Sequence, residues 1–103
     1  MDKEFIICAA IWFDDGKEYP HQPKNIETGF VIAGHRHHNC FTTMGILTSY
    51  SEEKVNYEKS QGFLTNTNRY VDRYEGQKIA LAADQVLDID GLRGGRLYSE
   101  DLY

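Results

Sequence analysis

Apolar residues along this chain fall into two kinds of run, and the change from one to the other comes at Gly34. Upstream, residues 5–13 are continuously apolar and stop at Asp14-Asp15-Gly16. A short run without alternation predicts a strand covered on both faces and central in its sheet, and Asp-Gly is a turn signal. Residues 17–25 hold both prolines, Pro20 and Pro23, and read as a surface loop with His21 in solvent. Residues 26–33 give a second strand, closed by Gly34. Beyond it the apolar positions recur as Cys40, Met44 and Leu47, with Phe41 beside them, which is one face of a helix that fades at Thr48-Ser49.

The second half repeats the strand-to-helix order. Ser51-Glu52-Glu53-Lys54 reads as a solvated connector. Residues 60–65 and 69–71 read as a hairpin around Asn66-Thr67-Asn68, whose asparagines tolerate left-handed backbone angles. Asp72 is placed to cap a second helix, and Glu75 three residues on completes a capping-box pattern. Gly76, Ile79, Ala80 and Ala83 form a small-residue stripe that lets this helix lie close to a sheet or a partner chain, at a propensity cost of about 1 kcal/mol for the glycine. The helix is expected to give out near Gln85. The last segment ends in Leu97-Tyr98-Ser99-Glu100-Asp101-Leu102-Tyr103, too apolar for a disordered tail, and is expected to dock. Together these elements predict one α+β domain over residues 1–103, a small antiparallel sheet carrying two helices.

Composition narrows the classes of function. A formal charge of −5 argues against binding a DNA or RNA polymer non-specifically, which needs a broad basic field. Yet the arginines Arg36, Arg69, Arg73, Arg93 and Arg96 all lie beyond the first third of the chain, a distribution that suits a local anion pocket as well as chance scatter. Cys8 and Cys40 do not make a disulfide framework, no signal peptide precedes them, and the longest apolar run is about half a membrane span. A soluble protein of a reducing compartment, away from membranes, is the expectation. A chain this short has a modest core, so a symmetric homo-oligomer would help it.

The stretch Gly34-His35-Arg36-His37-His38-Asn39-Cys40 carries the densest chemistry. His35, His37, His38 and Cys40 are zinc-ligand types, but all lie on one short piece, a helix cannot turn all four toward one ion, and only His21 and Cys8 are left elsewhere, so neither a metal nor a cofactor is expected. A Cys-His or Ser-His-Asp set can be assembled only on paper, without a nucleophile elbow, and the neighbours Glu100 and Asp101 point to opposite sides if extended. No catalytic set is expected. Anion recognition fares better. A strand that turns at glycine into a helix start bearing Arg36, His37 and His38 suits a phosphate, because first-turn N–H groups lack intrahelical acceptors. Arg93-Gly94-Gly95-Arg96 adds a glycine loop with two guanidiniums, or else an ordinary solvated turn. Phe63 can stack on a purine or belong to the core, and Asp72 can bond a ribose hydroxyl or merely cap its helix.

Across nearly its whole length the chain resembles the first-described type of Thoeris anti-defence protein from phages. The likeness rests on Ile6-Ile7-Cys8-Ala9-Ala10, the Gly34–Cys40 junction, Gln61-Gly62-Phe63-Leu64, Tyr70-Val71-Asp72-Arg73 leading into Ile79-Ala80, and the terminal Leu97–Tyr103 motif. The resemblance implies a non-enzymatic sponge in the cytoplasm of the infected bacterial host. Such a protein binds cyclic ADP-ribose isomers made by TIR-domain defence proteins, and members can form hexamers that hold CBASS cyclic oligonucleotides at separate sites. It implies a pocket between two subunits, with Phe63 on the adenine, Asp72 and Arg73 nearby, Arg93 and Arg96 from the partner subunit, and Arg36, His37 and His38 completing the charge. The chain departs from that pattern at Gly76, where a better helix former is expected, at Asp84, where a glycine is, and at Arg96, where a smaller polar residue is. An enzyme that opens such a nucleotide, with a junction histidine or Glu100 as acid–base, and an inhibitor that simply occupies a host defence protein are the alternatives.

Overall fold

The computed structural model describes residues 3–48, 60–92 and 94–103. Among them the chain runs β1 (Ile6–Phe13), β2 (Phe30–Gly34), α1 (His37–Thr48), β3 (Gln61–Thr65), β4 (Tyr70–Asp72) and α2 (Arg73–Ala82), followed by single turns of 3-10 helix at Ile89–Gly91 and Ser99–Asp101. The four strands form one antiparallel sheet in the order β2-β1-β3-β4. The architecture is α+β, as the apolar pattern predicts, and β1 is indeed a central strand.

One irregularity decides which side chains face the helices. Ile6 pairs with Thr65 and Cys8 with Leu64, so Ile7 is an extra residue in β1, and its side chain is left exposed. Such a bulge breaks the two-residue alternation. It puts Ile6 on the same side as Ala9, Ile11 and Phe13, where two apolar clusters form. Ile6, Ala9, Phe63, Val71 and Ala80 pack with Leu97 and Leu102 of the C-terminal segment. Ile11 and Ile32 pack with Cys40 and Met44 of α1, flanked by Phe13, Phe30 and Phe41. The tail therefore docks as expected, and it does so as part of the core.

The opposite face is covered by the loop of residues 14–29. Trp12 donates its indole N–H to Thr28 O (2.9 Å) and its ring lies 6.0 Å from that of the buried Tyr70. The same loop seals both edges of the sheet. Gln22 Oε1 accepts the outward N–H of Val31 on β2 (3.0 Å). At the far edge Asn25 mimics a strand, its Oδ1 accepting Tyr70 N–H (2.9 Å) and its Nδ2 donating to Tyr70 O (2.6 Å). The second strand is shorter than the expected 26–33, because Asn25 and Ile26 are drawn into this loop and Gly29 takes φ +78° just before Phe30.

Close approach explains two glycines. A Cβ on Gly62 would sit 1.9 Å from Val71 O and 2.9 Å from the Tyr70 hydroxyl. One on Gly76 would sit 3.0 Å from the Phe63 ring, so the glycine lets α2 lie directly on that ring. Asp72 caps α2 by accepting Glu75 N–H (2.9 Å), but only half of the capping box forms, because the Glu75 carboxylate instead meets Arg69. The helix ends at Ala82, three residues before the expected Gln85. Asp84 takes the left-handed φ of +59°, with Gln85 N–H on Ala80 O and Asp84 N–H on Leu81 O, which is a Schellman ending. The predicted connector at residues 51–54 lies outside the described residues.

Two substitutions test this packing. Asp84→Gly relieves an unfavourable backbone angle and stabilises by about 0.5–1 kcal/mol, read as a thermal midpoint a few degrees higher. Phe63→Ala empties the middle of the first cluster and costs about 3–5 kcal/mol in urea unfolding.

Candidate functional site

Three arginines, Arg36, Arg73 and Arg96, make contacts between the C-terminal segment and the helix-bearing side of the chain. Arg73, the first residue of α2, is 9% exposed. It donates to Leu97 O (2.8 Å) and to Gln61 Oε1 (2.8 Å), and its guanidinium carbon lies 4.5 Å from the centre of the Tyr98 ring. Its backbone carbonyl accepts Leu97 N–H (2.9 Å) in return. Both side-chain acceptors are neutral, and no carboxylate of the described residues forms an ion pair with it. Burial lowers its pKa, yet a guanidinium stays charged at any ordinary pH. The result is a desolvated cation held by neutral oxygens and a π face.

Two further arginines have the same kind of neighbour. Arg36, between β2 and α1, donates to a Tyr103 main-chain oxygen (2.5 Å), reaches Glu100 Oε1 (3.5 Å) and lies 5.5 Å from the Tyr103 ring centre. That ring stacks on His35 at 4.3 Å, and its hydroxyl donates to His35 O (2.6 Å). Arg96 donates from Nε to the Tyr74 hydroxyl (2.8 Å) and lies 5.5 Å from the Tyr74 ring centre. Arg36, Arg73 and Arg96 thus each rest on a tyrosine, Tyr103, Tyr98 and Tyr74 respectively. Gly94 and Gly95 before Arg96 both take left-handed angles, φ +57° and +78°. Arg93 lies outside the described residues.

The other expected site residues are placed differently. Phe63 is fully buried beneath Gly76, so no face of it is open to a base, and it belongs to the core. His37 is also buried. Its Nε2 lies 2.8 Å from Gly62 O, which can only accept, so Nε2 carries the proton, and its ring meets Phe63 edge-on at 5.1 Å. Burial first, then the nearby Arg73 guanidinium, pushes its pKa down to about 4. His37 therefore adds no positive charge near neutrality, contrary to the expectation for the junction. His38 is exposed. Asp72 does not join the arginines. It lines a cavity of about 260 Å³ with Trp12, Asn25, Ile26, Tyr70 and Glu75, on the face covered by the loop.

The three junction histidines diverge: one stacks on Tyr103, one is buried, one is in solvent. Among the described residues no group of three or more His, Cys, Asp or Glu side chains is placed to hold a metal ion. Cys40 is buried, its thiol pushed up to about 11 by desolvation, and Cys8 is half-buried and shifted the same way. No helix of the described residues is long and apolar enough to cross a membrane. Sequence reasoning missed Tyr74, Tyr98, Tyr103 and Gln61 as partners of the arginines. No local spacing marks these pairings, since Arg73 meets Tyr98, Arg96 meets Tyr74 and Arg36 meets Tyr103.

The His37 arrangement has a pH signature. Its pKa is depressed on folding, so the unfolded chain binds more protons between pH 4 and 6.5, and stability is lost as pH falls through that window. The loss is at most about 3 kcal/mol. Thermal melts at pH 7, 5.5 and 4.5 should show it, and His37→Gln, which keeps a donor for Gly62 O, should flatten the part of the slope above pH 5.

A family model described as the phage T4 y16D protein matches residues 5–103. No curated protein and no solved structure matches the chain.

Proposed function

The chain belongs to the phage T4 y16D protein family, and from that premise we propose that this phage protein is an anti-defence sponge. It binds cyclic nucleotide immune signals, in the first place cyclic ADP-ribose isomers, and withholds them from their effector without breaking a bond. CBASS cyclic oligonucleotides are a second class of cargo. The protein acts in the cytoplasm of the infected host, and the site is completed by a second copy of the chain in a homo-oligomer of dimer units, up to a hexamer.

The observation that carries this reading is the set of three arginines on three tyrosines along the C-terminal segment. A cyclic ADP-ribose isomer presents a diphosphate and one flat base, and a cyclic oligonucleotide presents phosphodiesters and several bases. Guanidiniums bond phosphate oxygens in pairs, and tyrosine rings accept stacking bases. Arg73 acts at a distance in this account: its donors are engaged by neutral partners, so its uncompensated charge attracts an anion held by the more accessible arginines. The proposal moves the base-stacking role from Phe63 to the tyrosines.

The test is to incubate purified protein with cyclic ADP-ribose isomers, separate the bound fraction, heat it and identify the released nucleotide by mass. Unaltered nucleotide, at no more than one per site, is expected. Altered nucleotide in excess over protein would instead make the chain an enzyme. Arg96→Ala removes a charge-assisted contact at an accessible position and should weaken binding about tenfold, with a thermal midpoint shifted by no more than about 3 °C.

A further inference from the structure

The cavity behind the sheet is independent of the arginine strip, and its chemistry is of opposite sign. Its lining residues are Trp12 and Tyr70, whose rings meet at 56°, Asn25, Ile26, and the two acidic residues Asp72 and Glu75. The polar groups of the wall that could serve a neutral or anionic ligand are already engaged. The indole N–H is on Thr28 O, and the Asn25 amide is spent on both backbone groups of Tyr70. What the cavity still offers is aromatic surface and carboxylate oxygen. Glu75 is partly neutralised by Arg69, while Asp72 makes no ion pair with the described residues and gives Oδ1 to the helix cap, which leaves a carboxylate with further lone pairs.

Ring faces and carboxylates share one preference, a cation with an apolar skirt. At about 260 Å³ the space is below the roughly 300–1,000 Å³ of pockets that take drug-sized ligands, so it suits one compact group and not a nucleotide. A bare metal ion would find too few oxygens here. We propose that this cavity is a binding site for an alkylammonium group, carried either by a free small amine or by a lysine side chain of another protein.

Trp12 is the chain's one tryptophan, so fluorescence excited selectively at tryptophan, beyond the tyrosine absorption band, reports on this cavity. The full chain is titrated with tetramethylammonium, n-butylammonium and Nα-acetyl-lysine amide, and in parallel with n-butanol as a neutral counterpart. A saturable change with the ammonium compounds and none with the alcohol is expected, weakening as salt rises. Butylammonium and the capped lysine separate the two sources: tighter binding of the former points to free amines, of the latter to a protein side chain. Asp72→Asn keeps a capping side chain at α2 while removing the charge, and should weaken ammonium binding at least about tenfold. Should that variant fail to fold, Glu75→Gln, on the exposed side of the helix, serves with a smaller expected loss. A linear response, an equal response to n-butanol, or wild-type affinity in a folded Asp72→Asn overturns the proposal.

Discussion

A single buried guanidinium ties together pieces of chain that are remote in sequence. Arg73 stands at the start of α2, holds the first residue of β3 through Gln61, and holds the C-terminal segment through Leu97 and Tyr98. A desolvated charge costs several kcal/mol unless its donors are met. Its geometry is therefore not optional: Gln61, Leu97 and Tyr98 must be where they are for α2 to begin at Arg73. That constraint fixes the line along which the last residues cross the sheet, and with it where Arg36 and Arg96 come to rest. The field of Arg73 also adds to the burial that keeps His37 neutral.

The other face of the sheet is organised by side chains acting as backbone. A four-stranded sheet has two edges, each with unpaired groups that invite further strands. Here one loop reaches both, with the Gln22 carbonyl at β2 and the Asn25 amide at β4. The same crossing lays the loop over Tyr70 and Trp12 and leaves the acidic cavity beside them. Edge protection and the cavity are thus two results of one loop path.

What could be read in advance follows the range of the forces involved. The central position of β1, the helix stripe at Cys40 and Met44, the Asp72 cap and the left-handed Asn68 are all decided within a few residues, and the apolar pattern and turn chemistry carried them. Asn25 acts on a residue 45 positions away and Arg73 on one 24 away, and nothing local marks either contact. Phe63 shows the ambiguity well. An aromatic residue in a short hairpin strand suits a ligand surface or a core equally, and the choice is made by Gly76, whose missing side chain brings α2 down onto the ring. A histidine's charge likewise depends on what is packed around it, and at His37 burial decides it. The arginines could be singled out by position, but their tyrosine partners could not, because the docking of the tail chooses them.

The C-terminal segment has one more consequence, for the order of events during synthesis. Leu97 and Leu102 share a cluster with Ile6 and Ala9, so β1 leaves the ribosome well before the residues that complete its core. At bacterial elongation rates of roughly 5–20 residues per second, the early strands wait for seconds with an apolar face uncovered. This cluster is therefore completed only after residue 102 has been made. A chain that stops short of residue 97 lacks part of the core itself.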